Sequence, residues 1–163
     1  HGGMINVYSE EGRGSTFKIY LPMVERRAAV VGAKVEARPQ GGSETILVAE
    51  DDEAVRNLTA LLLRRSGYRV LLAANGEEAC SVFEQHAAEV DLVLMDVVMP
   101  RLGGREASER IRAACPGVRV LFTSGYTENV VHTNFVIKEG VRLLRKPYGP
   151  DELLRKVREA LEG

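Results

Sequence analysis

The chain has 163 residues, 45% of them apolar and 28% charged, with a formal net charge of −1. That balance belongs to a folded globular chain and excludes a disordered one; it also supplies no bulk field toward nucleic acid or anionic lipid. Residues 1–43 carry six Lys/Arg against four Asp/Glu and residues 44–163 sixteen against nineteen, so neither part is a basic nucleic-acid arm.

No run approaches the 18 or so apolar residues of a membrane span, and the N-terminus has no signal-peptide layout. The two cysteines, Cys80 and Cys115, lack the spacing of a zinc site and read as reduced, structural thiols. The chain opens at His1 and in mid-motif, which leads us to expect a piece of a longer, cytoplasmic protein.

Residues 4–22 predict a β-hairpin. Met4–Ser9 and Ser15–Leu21 alternate in hydrophobicity around Glu11-Gly12-Arg13-Gly14, and Pro22 ends the second strand. Residues 23–43 shift to Arg, Ala, Gly and Pro and read as a linker.

From Glu44 the pattern becomes strand, helix, strand, helix. Thr45–Ala49 is an apolar run of the kind buried on both sheet faces. Asp52 is placed to cap a helix from about Glu53 to Gly67 that buries Val55, Leu58, Thr59 and Leu62. A strand at Tyr68–Ala73 precedes a helix capped by Asn75, running to about His86 and burying Ala79, Val82 and Phe83. Strand Asp91–Met95, helix Arg105–Ala114 and strand Val118–Phe122 follow, then a weaker helix near 128–138 and a short strand at Val141–Leu144. The last helix starts with Pro150, carries Asp151 and Glu152 in its first turn, and buries Leu153, Leu154, Val157, Ala160 and Leu161.

Five strands alternating with five helices over residues 44–163 predict an α/β, doubly wound parallel sheet with helices on both faces. Ligands of such sheets sit beyond the carboxyl ends of the strands. Those ends carry Glu50-Asp51-Asp52, Asp96, Thr123-Ser124 and Lys146-Pro147. Converging carboxylates repel unless a cation lies among them, and an all-oxygen donor set suits a hard ion such as Mg²⁺.

The segments Ile46–Asp52, Leu94–Pro100, Thr123–Tyr126 and Lys146-Pro147, in that order, resemble the response-regulator receiver family over essentially all of 44–163. Each segment is a weak signal alone; four in register are a strong one. The resemblance implies a flavodoxin-like sheet of strand order 2-1-3-4-5. It implies that Asp96 is the phosphoacceptor and that Asp51, Asp96 and the carbonyl of Val98 bind Mg²⁺ directly, Glu50 acting mainly through metal-bound water. Thr123 and Lys146 are then expected to contact phosphoryl oxygens, in a domain that itself catalyses phosphoryl transfer to Asp96 and its hydrolysis. A phosphohistidine-bearing kinase or phosphotransfer domain is the implied donor, with a downstream protein, and neither nucleic acid nor membrane, as the partner.

Residues 1–22, from His1-Gly2-Gly3-Met4 through Leu21-Pro22, resemble the last two strands of a histidine-kinase ATP-binding domain. The order of hairpin, linker and receiver is that of a hybrid sensor histidine kinase. The nucleotide-contacting motifs are not in this sequence, so the segment itself is expected not to bind ATP.

Two departures from the family stand out. Leu143 occupies a position, three residues before Lys146, where an aromatic is common, and Gly103-Gly104 replaces a common Asp-Gly pair. An aliphatic at the first position cannot repeat the inward ring movement of that aromatic; the second is expected to loosen the loop after Pro100. Two rival functions are weighed. A receiver that signals by contact without phosphorylation would be favoured by a broken acidic cluster or a missing lysine, and neither occurs. A phosphohydrolase with an aspartate nucleophile would often place an acid two residues after Asp96, where this chain has Val98.

Overall fold

The structure is a computed structural model that describes residues 2–22, 41–125 and 142–163. The linker residues 23–40 and the helix expected near 128–138 lie outside the described residues. The chain divides into two compact units, His1–Glu36 and Ala37–Gly163.

In the first unit, β1 (Met4–Glu10) and β2 (Gly14–Tyr20) form an antiparallel ribbon in the register Met4↔Tyr20 to Glu10↔Gly14. The three-residue turn works because Gly12 within it and Gly14 at the start of β2 adopt φ of 77° and 88°, where a side chain would be strained. The register puts the pairs Ile5–Ile19 and Val7–Phe17 on one side, and all four side chains are exposed.

The second unit holds β3 (Thr45–Ala49), α1 (Glu53–Arg65), β4 (Arg69–Ala73), α2 (Gly76–His86), β5 (Val90–Asp96), α3 (Gly104–Ala114), β6 (Arg119–Ser124), β7 (Arg142–Arg145) and α4 (Pro150–Glu162). The five strands are parallel and lie in the order β4-β3-β5-β6-β7, the doubly wound arrangement expected from the sequence.

Alternation along each buried strand sorts the core into two layers. Leu47, Ala49, Val93, Met95 and Phe122 pack with Ala79 and Phe83 of α2 and Ala107 and Ile111 of α3. Ile46, Val48, Leu92, Leu94, Leu121 and Leu144 pack on the other face with Leu63 of α1 and Leu153, Val157 and Ala160 of α4. Helices therefore cover both faces, which is what continuous apolar strands require. None of the described helices is long and apolar enough to cross a membrane.

One expectation needs correction. Leu58 does not face the core: it is 57% exposed, and the residues that α1 buries are Thr59, Ala60 and Leu63. The buried stripe is rotated by about one residue from the expected one, because Leu61, Leu62 and Leu63 offer several apolar faces and the sheet selects among them. Strand ends also shift slightly. Asp96 and Thr123 lie within the last residues of β5 and β6 rather than beyond them.

Candidate functional site

The carboxyl end of β3 delivers the first acids. Glu50 is fixed by its backbone amide, which donates to the Ala73 carbonyl of β4 at 3.1 Å. Asp52 accepts from the amides of Ala54 and Val55 at 2.9 and 3.0 Å, capping α1 as its sequence position predicts. Its carboxylate is thereby committed to the helix, leaving Glu50 and Asp51 to the pocket. Arg56, one turn into α1, returns its guanidinium to the carbonyls of Glu50 at 2.6 Å and Asp51 at 3.2 Å. It therefore clamps the backbone from which both acids project.

Asp96 ends β5 and is 7% exposed. Its Oδ1 accepts from the Val98 amide at 3.2 Å. Its backbone carbonyl faces Gly104, the first residue of α3, so closely that a Cβ on Gly104 would collide with it. The amide of Gly104 donates to the Val97 carbonyl at 3.1 Å, closing the loop after Pro100 on itself. Gly103 offers no side-chain cap to α3, and the Glu106 carboxylate fills the space where its side chain would extend. Thr123 of β6 is the cross-strand partner of Asp96, is 2% exposed, and accepts from the Val97 amide through its backbone carbonyl.

Lys146 follows β7. Its amide donates to the Ser124 carbonyl at 2.8 Å, and the peptide bond to Pro147 is cis. The ammonium then reaches across the strand ends, donating to Glu50 Oε2 at 2.5 Å and to Asp96 Oδ2 at 2.6 Å. One carboxylate oxygen each from Glu50, Asp51 and Asp96 lies within 4.8 Å of the others. Asp51 is exposed at the rim, whereas Glu50 is 4% exposed.

The electrostatics follow from this crowding. Burial raises the Glu50 pKa, and the charges of Asp96 and Asp51 push the same way against the hydrogen bond from Lys146. Burial also opposes the ammonium of Lys146, but hydrogen bonds to Asp96 and Glu50 outweigh it and raise its pKa. Three carboxylates against one ammonium leave the pocket short of positive charge. The donor set is all oxygen and suits a hard divalent cation, so the cluster could hold a metal.

The site therefore brings together Glu50, Asp51, Asp96, Thr123 and Lys146 from four strands, each flanking the carboxyl end of the sheet. Val98, 57% exposed, stands beside them with its amide bonded to Asp96. Arg56 escaped the sequence reading. A basic residue four positions after a helix cap has no distinctive signature until the backbone it reaches is known. Leu143, at the position where an aromatic is common, is half-buried against the core layer that contains Phe122.

Residues 46–158 match the family model described as the response regulator receiver domain. The chain belongs to the response regulator receiver family. Over 99% of its length this receiver chain is 39% identical to sensor kinase CckA of Brucella abortus, of which it spans 18%. It is 32% identical, over 76% of its length, to the autoinducer 1 sensor kinase/phosphatase LuxN of Vibrio campbellii, of which it spans 17%. Among solved structures, the receiver domain from the hybrid histidine kinase CckA is 35% identical at a TM-score of 0.60, covering 72% of this chain and 98% of that one. A response regulator receiver domain protein from Clostridium thermocellum superimposes at a TM-score of 0.67 with 27% identity, covering 73% of this chain and 94% of that one. The chain thus spans less than a fifth of the length of each of these two sensor kinases.

Proposed function

We propose that Asp96 accepts a phosphoryl group from a phosphohistidine and that the resulting acyl phosphate alters a surface read by a partner protein. The observation that carries this reading is the ammonium of Lys146 seated between Glu50 and Asp96 in a pocket that also holds Asp51. A carboxylate oxygen of Asp96 attacks phosphorus. The phosphorus–nitrogen bond breaks, and its electron pair leaves with the imidazole, which then takes a proton from solvent. Water later attacks the acyl phosphate, releasing inorganic phosphate and restoring the carboxylate.

Phosphoryl transfer depends on positioning and charge neutralisation more than on covalent assistance. Lys146 supplies one positive charge to the transferring oxygens, and Thr123 a hydroxyl at the same end of β6. Asp51, Asp96 and the Val98 carbonyl would hold Mg²⁺, with Glu50 acting through water. When bound, the ion offsets the carboxylate charge that an incoming phosphoryl group would otherwise meet. Val98, exposed and bonded through its amide to Asp96, sets an apolar side chain beside the pocket that suits contact with a protein donor.

The ribbon of residues 1–22 fits the end of a histidine-kinase ATP-binding domain, residues 23–43 a linker and residues 44–163 the receiver. The exposed apolar side of the ribbon, Ile5, Val7, Phe17 and Ile19, supports this. So does similarity to CckA across 99% of the chain. On this reading the parent protein is a hybrid sensor histidine kinase and the receiver works in the cytoplasm.

The test is labelling by acetyl phosphate with Mg²⁺. Asp96→Asn abolishes acyl-phosphate formation, and Asp51→Ala severely weakens Mg²⁺ binding in a metal titration. Undiminished labelling of Asp96→Asn would falsify the assignment of the acceptor.

A further inference from the structure

Tyr148 is two residues past Lys146, in the connection from β7 to α4. Its ring packs, half-buried, against the core layer of Val48, Leu63 and Leu94. Its hydroxyl lies 3.3 Å from Oγ1 of Thr59, which is 3% exposed on the inner face of α1. A threonine in mid-helix can turn its hydroxyl back to a carbonyl of its own helix or out to solvent. A tyrosine in a core needs no particular partner for its ring, only for its hydroxyl. The two groups satisfy each other across elements 89 residues apart.

The placement matters because both ends of this contact belong to the site. On one side, α1 is capped by Asp52, directly after the acids Glu50 and Asp51, and its Arg56 holds their carbonyls. On the other side is the short connection that aims Lys146 at Glu50 and Asp96. Burial raises the pKa of the Tyr148 hydroxyl, against smaller opposing effects of the Thr59 hydrogen bond and the Lys146 ammonium, so the group stays a neutral donor and acceptor through the neutral range.

We propose that Tyr148 is a positioning residue for phosphoryl transfer. Its hydroxyl, through Thr59, fixes the separation between α1, which directly follows the acids Glu50 and Asp51, and the segment that carries Lys146. The inference rests on Asp96 being the phosphoacceptor. A displacement of the ammonium by a fraction of an ångström changes how it meets a phosphoryl oxygen, while the ring's packing can stay as it is.

The experiment follows acetyl-phosphate labelling of the full 163-residue chain in a double-mutant cycle. Tyr148→Phe lowers the labelling rate at saturating acetyl phosphate by about tenfold. The acetyl phosphate concentration for half-maximal rate, the Mg²⁺ affinity and the melting temperature stay close to wild type. Thr59→Val gives a loss of similar size, the double variant loses little more than either, and Thr59→Ser, which keeps the hydroxyl, labels like wild type. Wild-type rates in Tyr148→Phe would overturn the inference, as would losses that multiply in the double variant or a Thr59→Ser loss equal to that of Thr59→Val. Wild type that takes no label would instead overturn the acceptor assignment, and this inference with it.

Discussion

Lys146 Nζ stands 2.6 Å from Asp96 Oδ2 although 50 residues separate them in the chain. The same ammonium holds Glu50, 96 residues away, so a single side chain joins three strand ends.

Replacing it should be costly for chemistry. Lys146→Met leaves two buried carboxylates facing each other without a compensating charge, and the rate of labelling by acetyl phosphate falls by about two orders of magnitude. Glu50, deprived of the hydrogen bond that opposes its burial, moves to a still higher pKa, readable by carboxyl NMR. A rate within twofold of wild type would show that the ammonium is dispensable.

Gly104 has no room for a side chain. Gly104→Ala drives a Cβ into the Asp96 carbonyl and against Met95, and unfolding in urea shows a loss of about 2 kcal/mol or more. Gly103→Ala meets only the end of the flexible Glu106 side chain and serves as the mild comparison. Equal stability of the two variants would contradict the close approach.

The orientation of α1 can be checked by a pair of truncations. Leu63→Ala removes a fully buried side chain and costs about 2–5 kcal/mol, whereas Leu58→Ala, at 57% exposure, costs less than about 0.5 kcal/mol. The reverse order in thermal melts would restore the stripe that periodicity alone suggests.

Glu44 gives a pH signature away from the site. Its Oε1 accepts from Arg158 Nη2 at 2.5 Å, and that hydrogen bond lowers the Glu44 pKa against the opposing effect of burial. A carboxyl whose folded pKa is depressed stabilises the fold above its unfolded value of about 4.3 and loses that contribution as pH falls through the folded value. Glu44→Gln should therefore be less stable at neutral pH, by about 1 kcal/mol for a part-buried pair near the surface. Its stability should also fall less steeply in acid below about pH 4.3. Parallel pH profiles for variant and wild type would count against the pairing.

The sequence carried the sheet and its acids well, for a physical reason. Strands buried on both faces must be continuous apolar runs, so Thr45–Ala49 and Leu92–Met95 stand out, and a charged residue directly after such a run has few structural explanations. What it did not carry is the selection among equivalents. In α1, Leu58, Leu61, Leu62 and Leu63 present overlapping apolar arcs, and packing against Ile46 and Leu92 decides that Leu63 goes in. Contacts such as Arg56 with the Glu50 carbonyl, or Tyr148 with Thr59, depend on where separate elements come to rest. No local spacing encodes them.

The supports of the pocket are unequal in strength. β3 and β5, which deliver Glu50 and Asp96, each have hydrogen-bonded neighbours on both sides, whereas the four-residue β7 that leads to Lys146 is, among the described strands, at the margin of the sheet. Warming or mild denaturant should loosen that margin first, as amide exchange along Arg142–Arg145 would register. The amine would then swing away while the acids still stood together, and the protein would lose its chemistry before its shape.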